Sequence, residues 1–396
     1  MQITAQGWLV LRLTGSPALL GLAAFAGSAP SLALTLYAGL LADRIDRRKL
    51  LLWTQVVLAV LAAILALLDQ TGAVRFWQVL VLAVFGGVAN ALGGPAFQAL
   101  VPSLVDRRAL GNAIALNSAQ FNLGRILGPA AAGLLIGSMG EASTFWLNAL
   151  SFVAVIVALA AIRDRDQAAM VRQEQGLWAN LMDGFVHVRH EKVLLALLVL
   201  AGAPAVLILP YLALLPVYAQ ALGIGAPGLG LLTASIGVGA LAGAVAVALL
   251  RQGGASGRTT LGGLSAMCVA VAAFSASSFV PISCVALGVL GAAQVLYYTG
   301  TNTLVQLLSP GRLRGRILSI YVLTSIGLTP LGSLLAGAVA QAVGAPITLV
   351  AGGALTAVAL GLVLRWCPAL ARLRIDVEET PEGALKPSGR RSPQEG

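Results

Sequence analysis

Gly39-Leu-Leu-Ala-Asp43-Arg44-Ile-Asp46-Arg47-Arg48-Lys49 is a short charged interruption between two apolar stretches, about 17–41 and about 50–68. Each stretch is long enough to cross a hydrocarbon core, which takes roughly 20 mostly apolar residues. The residues between them are too few and too charged to lie in lipid. Basic residues crowded against span ends mark the cytoplasmic side of a membrane protein.

The rest of the chain repeats this pattern. Of 396 residues, 58% are hydrophobic and only 10% are charged, and mean hydropathy is +0.90. An ordinary soluble domain is about 25% charged. Soluble and disordered classes are both excluded, because so little polar surface leaves the bilayer as the solvent. Beyond a fragment at about 1–14, the spans lie at about 17–41, 50–68, 76–100, 109–138, 143–162, 193–219, 227–250, 259–279, 281–308, 317–341 and 346–366. They run too long and too continuously apolar for barrel strands of roughly ten alternating residues. Each must be a helix that satisfies its own backbone.

The charges give each loop a side. Arg107 and Arg108 follow the fourth span, Arg251 and Arg258 the eighth, and Arg312, Arg314 and Arg316 the tenth. More basic residues crowd the central loop and the C-terminal tail, whereas the opposite loops hold only Arg12 and Arg75. Even-numbered spans therefore exit to the cytoplasm, and the C-terminus is expected there. The net charge of +10 is a product of this sidedness. It is not a nucleic-acid footprint, which needs one basic face with stacking aromatics.

The halves match each other. Arg108, Gly111, Gly128 and Gly133 recur 204 residues later as Arg312, Gly315, Gly332 and Gly337, and Ser16-Pro17 pairs with Ala226-Pro227 at about 210. The expected fold is an all-α membrane protein of two pseudo-symmetric six-helix bundles, twelve spans in all, a transporter architecture. Residues 1–162 form the first bundle, 163–192 a cytoplasmic linker, 193–367 the second bundle and 368–396 a disordered tail. The seventh span maps back to roughly −17 to 9, so the first is expected to begin before Met1, truncated here by about ten to fifteen residues. A late start is the expected reason, and a protein of eleven and a half spans the alternative.

The loop opened on resembles a signature of the major facilitator superfamily, with Gly39, Asp43, Arg44, Arg47 and Arg48 in its order and Asp46 where that pattern prefers Gly. The resemblance implies a charge cluster that holds the inward gate. The fifth span carries Gly124, Gly128-Pro129 and Gly133, similar to the superfamily's fifth-helix exporter motif. Glycines four apart let helices approach closely, and a proline permits a bend. The runs Asn112–Ser118, Leu147–Phe152 and Leu313–Arg316 look like the enterobactin-exporter, or transmembrane secretion effector, branch.

Arg125 is the only charge in the interior of a span, away from its ends. An arginine at mid-membrane is costly, and its default reading is functional. No span holds Asp or Glu to pair with it. Asn117 and Gln120 lie close to its helical face. Polar stripes on other spans add Asn90 and Gln98 in the fourth and Gln294, Tyr297, Tyr298 and Asn302 in the tenth as candidate cavity linings. Interhelical hydrogen bonding is the plainer reading of any one of them. In the linker, Leu177, Leu181, Phe185 and Val188 recur at helical spacing and predict an amphipathic interfacial helix.

The resemblance implies a secondary active exporter of siderophores, drugs or secondary metabolites, working by alternating access in the bacterial cytoplasmic (inner) membrane. It implies a monomer with a small-molecule substrate, proton motive force as the drive and protons as the coupling ion. No cofactor, metal or enzymatic activity is expected. No P-loop, zinc-protease or nucleophile-elbow pattern occurs. The three cysteines match no metal spacing or disulfide framework. The alternatives are an importer or uniporter of the same fold, or a non-transporting truncated membrane protein.

Overall fold

The computed structural model describes residues 1–44, 46–106, 108–162, 177–250, 255–375, 377–378 and 386–387. The first half comprises α1 (Gln2–Thr14), α2 (Pro17–Arg44), α3 (Arg47–Gln70), α4 (Phe76–Ser103), α5 (Leu110–Met139) and α6 (Glu141–Ala161). The linker helix α7 (Leu177–His190) follows. In the second half, α8 (Lys192–Leu207) and α9 (Tyr211–Ala221) form one broken span. Then come α10 (Gly225–Leu250), α11 (Gly257–Ala276) and α12 (Val280–Leu308). The next span is α13 (Arg314–Val322), a π-helical turn (Leu323–Gly327) and α14 (Thr329–Val343), and α15 (Ala345–Trp366) is the last.

Ten of these spans are long and apolar enough to cross a membrane among the described residues. The other two are α5, with its polar residues, and the 13-residue α1. Among the described residues, strand is confined to two short pairs. β1 (Ala255–Ser256) pairs with β2 (Arg374–Ile375), and β3 (Val377–Glu378) with β4 (Lys386–Pro387).

Local chemistry sets the helix ends. Asp46 caps α3, its carboxylate accepting from the backbone N–H of Arg48 at 2.9 Å and of Lys49 at 3.2 Å. That accounts for an Asp where the superfamily pattern prefers Gly, since a side-chain acceptor at this position satisfies donors of the first turn. Arg48 reaches the other way. Its Nε and Nη2 donate to the carbonyls of Leu159 and Ala160, each at 2.8 Å, and so close the C-terminus of α6. Gly140 and Gly344 turn the chain at φ of 80° and 88°. They are 204 residues apart, so the two halves use the same corner.

At the far end of the first bundle, Arg12 ties three helices together. It donates to Asp69 at the end of α3 and lies 2.9 Å from Glu141 at the start of α6. Both carboxylates are nearly covered. The second bundle has the larger core, built around Tyr211, Phe274, Tyr297 and the leucines of α8 and α9. Large apolar side chains such as Val60, Leu67, Val285 and Leu362 stand exposed along the spans, as lipid-facing residues do.

Two expectations shift in register. The linker helix forms, but it docks on the second bundle through Gly184, against Arg316 and Ile320, and through buried Val188. Phe185, expected on the apolar face, is exposed. The stretch expected as a disordered tail from Pro368 is partly ordered: α16 (Ala369–Arg372) and β2 fold back on the bundle with Leu370 fully buried, and β3 pairs with β4 beyond them.

Candidate functional site: the seam between the bundles

The halves meet along two helix crossings of the same design. A Cβ built on Gly133 of α5 would lie 2.7 Å from the Ala226 carbonyl and 2.8 Å from the Gly230 Cα of α10. A Cβ on Gly337 of α14 would lie 2.7 Å from the Pro17 carbonyl and 2.8 Å from the Gly21 Cα of α2. Gly133 and Gly337 are repeat mates at 204, while Ala226 and Gly230 follow Pro17 and Gly21 at 209. The repeat offset in the early part of each half is thus 209, one less than the sequence alignment gives. Each crossing uses small residues four apart, so the backbones touch and no side chain larger than hydrogen fits. Gly137 against Pro227 extends the first crossing outward, and Gly237 against Ile126 extends it inward.

Both crossings lie toward the ends of the bundles remote from the Arg-rich loops. The other end is different. A Cβ on Gly94, Gly111, Gly124 or Gly315 would meet nothing within 4 Å. Leu116, Ala119, Gln120, Phe121, Leu123, Gly124 and Arg125 of α5 are all exposed, over most of the helix circumference. The glycine contacts between the bundles thus lie at one end, and α5 is exposed toward the other.

Arg125 stands where this change occurs. Its side chain is exposed and makes no hydrogen bond or ion pair with a described residue, while its backbone carbonyl lies beside Ile126 in the contact with Gly237. In the opposite bundle, Tyr211 of α9 is fully buried, and its hydroxyl donates to Gln294 Oε1 at 3.5 Å. Tyr298 lies near, its ring 5.1 Å from that of Tyr297, and its carbonyl accepts from the Tyr321 hydroxyl at 3.0 Å. The Tyr298 hydroxyl itself is buried without a hydrogen-bond partner. The second bundle thus carries a group of phenols and an amide, and the first carries the exposed Arg125.

The remaining expected residues scatter. Tyr297 is 1% exposed and sits in the core of the second bundle, behind the lining. Adjacent residues on a helix point about 100° apart, so only one of the two tyrosines can line the seam. Asn90 and Gln294 are repeat mates at 204, as are Gln98 and Asn302. Asn90 is exposed and bonds back to the Gly86 carbonyl at 2.8 Å, Gln98 and Gln120 are exposed, and Asn117 is half-buried. Asn302 accepts from Gln306 one turn on. In the fifth-helix motif, Gly133 makes the crossing, the Pro129 carbonyl packs on Gly230, Gly128 faces the backbone of Met1, and Gly124 has open space. In the gating loop, Arg47 opens α3, and Arg48 is engaged within its own bundle. The side chains of Gly39, Asp43 and Arg44 lie outside the described residues, as does Asn122.

Sequence reasoning passed over Gly21, Gly230 and Tyr211. The first two were available from the repeat, because each lies four residues beyond a matched small residue or proline. Tyr211 carries no local signal, since it sits in an unbroken apolar run.

Two six-helix bundles joined by a cytoplasmic-type linker, with a polar seam at their interface, define a membrane transporter of the major facilitator fold. The chain belongs to the transmembrane secretion effector family, whose model matches residues 1–383. It is 30% identical over 386 residues, covering 94% of this chain and 92% of the relative, to "Multidrug efflux pump Tap" of Mycolicibacterium fortuitum. A shorter match, 30% over 154 residues and 38% of this chain against 39% of the relative, is to the "Staphyloferrin A transporter" of Staphylococcus aureus. Among solved structures, the nucleoside transporter NupG shares the fold at a TM-score of 0.70 and 12% identity, over 94% of this chain and 95% of that one. The protein is a multi-pass transporter of small molecules and not an enzyme.

Proposed function

We propose that this protein exports small amphiphilic molecules across the bacterial inner membrane by alternating access. The form described is the one open toward the cytoplasm, where the C-terminus lies. The asymmetry between the two ends of the seam carries this reading: glycine crossings at one end, and an exposed stretch of α5 that includes Arg125 at the other. Efflux and secretion in the relatives' names supply the direction.

The chemistry of the seam favours an anionic or neutral substrate. A lone arginine in low dielectric attracts a carboxylate or polarised oxygen strongly, and no span holds an acid to compete for it. Gln294 and Tyr298, both half-buried, offer an amide and an aromatic face for the rest of the molecule, with Tyr211 bonded to Gln294 behind them. The drive is the proton motive force, with protons as coupling ion and a monomer as the working unit. One observation favours a second reading, facilitated efflux without protons: every acid of the first bundle sits at a helix end.

Accumulation of a panel of anionic, neutral and cationic dyes in a pump-deleted bacterium tests this. Expression of the protein should lower accumulation of at least one anionic or neutral dye. Arg125→Gln should abolish that effect while surface expression and monodispersity stay the same. A protonophore should restore accumulation if protons drive export, and leave it low if efflux is facilitated. Unchanged accumulation of every dye, or full activity in Arg125→Gln, overturns the reading.

A further inference from the structure

The acids of this chain are distributed in a way that the transport reading does not explain. All 15 Asp and Glu residues lie in residues 1–191 or 376–396. The second bundle, residues 192–375, holds none, yet it carries Lys192 and eight arginines. The described ones lie at the Arg-rich end. Arg316 and Arg374 have interaction partners in the chain, and the bundle holds no acid of its own to balance the others.

Part of this end is built into a defined site. After α15, the chain folds back through Pro368 and α16, and β2 pairs with β1 at the start of α11. Leu370 is fully buried, the Gly257 N–H donates to the Leu373 carbonyl at 2.9 Å, and a Cβ on Gly257 would strike the Leu370 carbonyl. The fold-back encloses an open cavity of about 490 Å³ lined by Pro368, Ala369, Arg372, Leu373 and Arg374. Arg365 stands three residues before it, and Arg258 follows Gly257 on the other strand's side. Arg258, Arg365 and Arg372 are exposed and make no hydrogen bond or ion pair with a described residue.

We propose that this junction binds the phosphate headgroup of an anionic phospholipid of the cytoplasmic leaflet. Arginine forks match phosphate oxygens, and a fixed cavity with several of them holds one headgroup where a mobile tail would not. The depth is right for lipid. Trp366, half exposed and two residues before the cavity, is the residue type that sits at the headgroup level. Val358 and Leu362, exposed one and two turns earlier on α15, offer a surface for acyl chains. A soluble phosphate has the same head chemistry but nothing to gain from that apolar stripe. The inference is independent of what the protein transports.

The test is native mass spectrometry and thermal unfolding of the full chain in neutral detergent, with phosphatidylglycerol, phosphatidylcholine or inorganic phosphate added. Wild-type protein should retain phosphatidylglycerol over phosphatidylcholine and unfold at higher temperature with it. An Arg365→Gln/Arg372→Gln variant should bind about 30-fold more weakly, at roughly fivefold per charge removed, and lose the thermal shift, with unfolding in phosphatidylcholine unchanged. Arg365→Lys/Arg372→Lys should keep most of the retention, which shows that charge and not folding is at issue. Equal retention in wild type and the glutamine variant overturns the site. An equal shift with inorganic phosphate overturns the assignment to lipid.

Discussion

Gly133 of α5 and Gly230 of α10 lie back to back across the seam, so that a methyl on either would fall within 3.0 Å of the other's Cα. The pair is duplicated by Gly337 and Gly21. Two such contacts hold one end of the two-bundle molecule together, and on the alternating-access proposal they part when that end opens.

A methyl at either contact should therefore change the balance of states. Gly133→Ala places a Cβ against backbone that cannot rotate away, a type of overpacking that costs ~1–3 kcal/mol. The cost falls on the described state alone if the crossing opens during transport. Cysteine accessibility of Gln98→Cys to a membrane-impermeant reagent in everted vesicles should fall several-fold in Gly133→Ala. Gly124→Ala, in open space, should leave it unchanged.

Arg12 is the keystone of the far end of the first bundle. Arg12→Met leaves Asp69 and Glu141 covered without their cation. Breaking a buried pair costs about 3–5 kcal/mol, and the half-exposed arginine reduces that to ~1–3 kcal/mol. The expected outcome is a lower unfolding temperature in detergent, with Asp69→Asn less damaging because Glu141 still pairs.

Arg48 separates structural from gating roles in the signature loop. Its two bonds to α6 carbonyls predict that Arg48→Ala destabilises the first bundle by about 1–3 kcal/mol, the range for hydrogen bonds to a charged group. Arg48→Lys cannot reproduce the fork and should recover about half, read by thermal unfolding.

Tyr211 holds Gln294 from within the second bundle through its hydroxyl. Tyr211→Phe removes the bond to Gln294 without altering packing. It should weaken export of any dye that depends on Arg125 by about fivefold, an order typical of one neutral hydrogen bond, while leaving stability nearly unchanged.

Much of this was legible beforehand, for identifiable reasons. Span lengths follow from hydrophobic run length, and the duplicated design follows from glycines and arginines at a fixed offset. Gly133 could be picked out because small residues in lipid serve close packing. Its partner Gly230 was hidden among the many glycines and alanines of α10, where composition does not distinguish a crossing from a lipid-facing surface. Arg125 announced itself by the cost of its charge, but Tyr211 did not, because a buried tyrosine and a lining tyrosine read alike. The choice between Tyr297 and Tyr298 needed the rotation of α12. The capping role of Asp46 and Arg48 was obscured by the gating motif they sit in.

The most direct test of the alternating-access account is a pair of spin-label distances in a cysteine-free background. Labels at Arg108 and Arg312 report the Arg-rich end, and labels at Thr71 and Ser278 the other end. The account predicts that Gly133→Ala/Gly337→Ala shortens the first distance and lengthens the second relative to the wild-type glycines. If both distances stay the same, or both change in the same direction, the bundles do not rock about these crossings and the account is wrong.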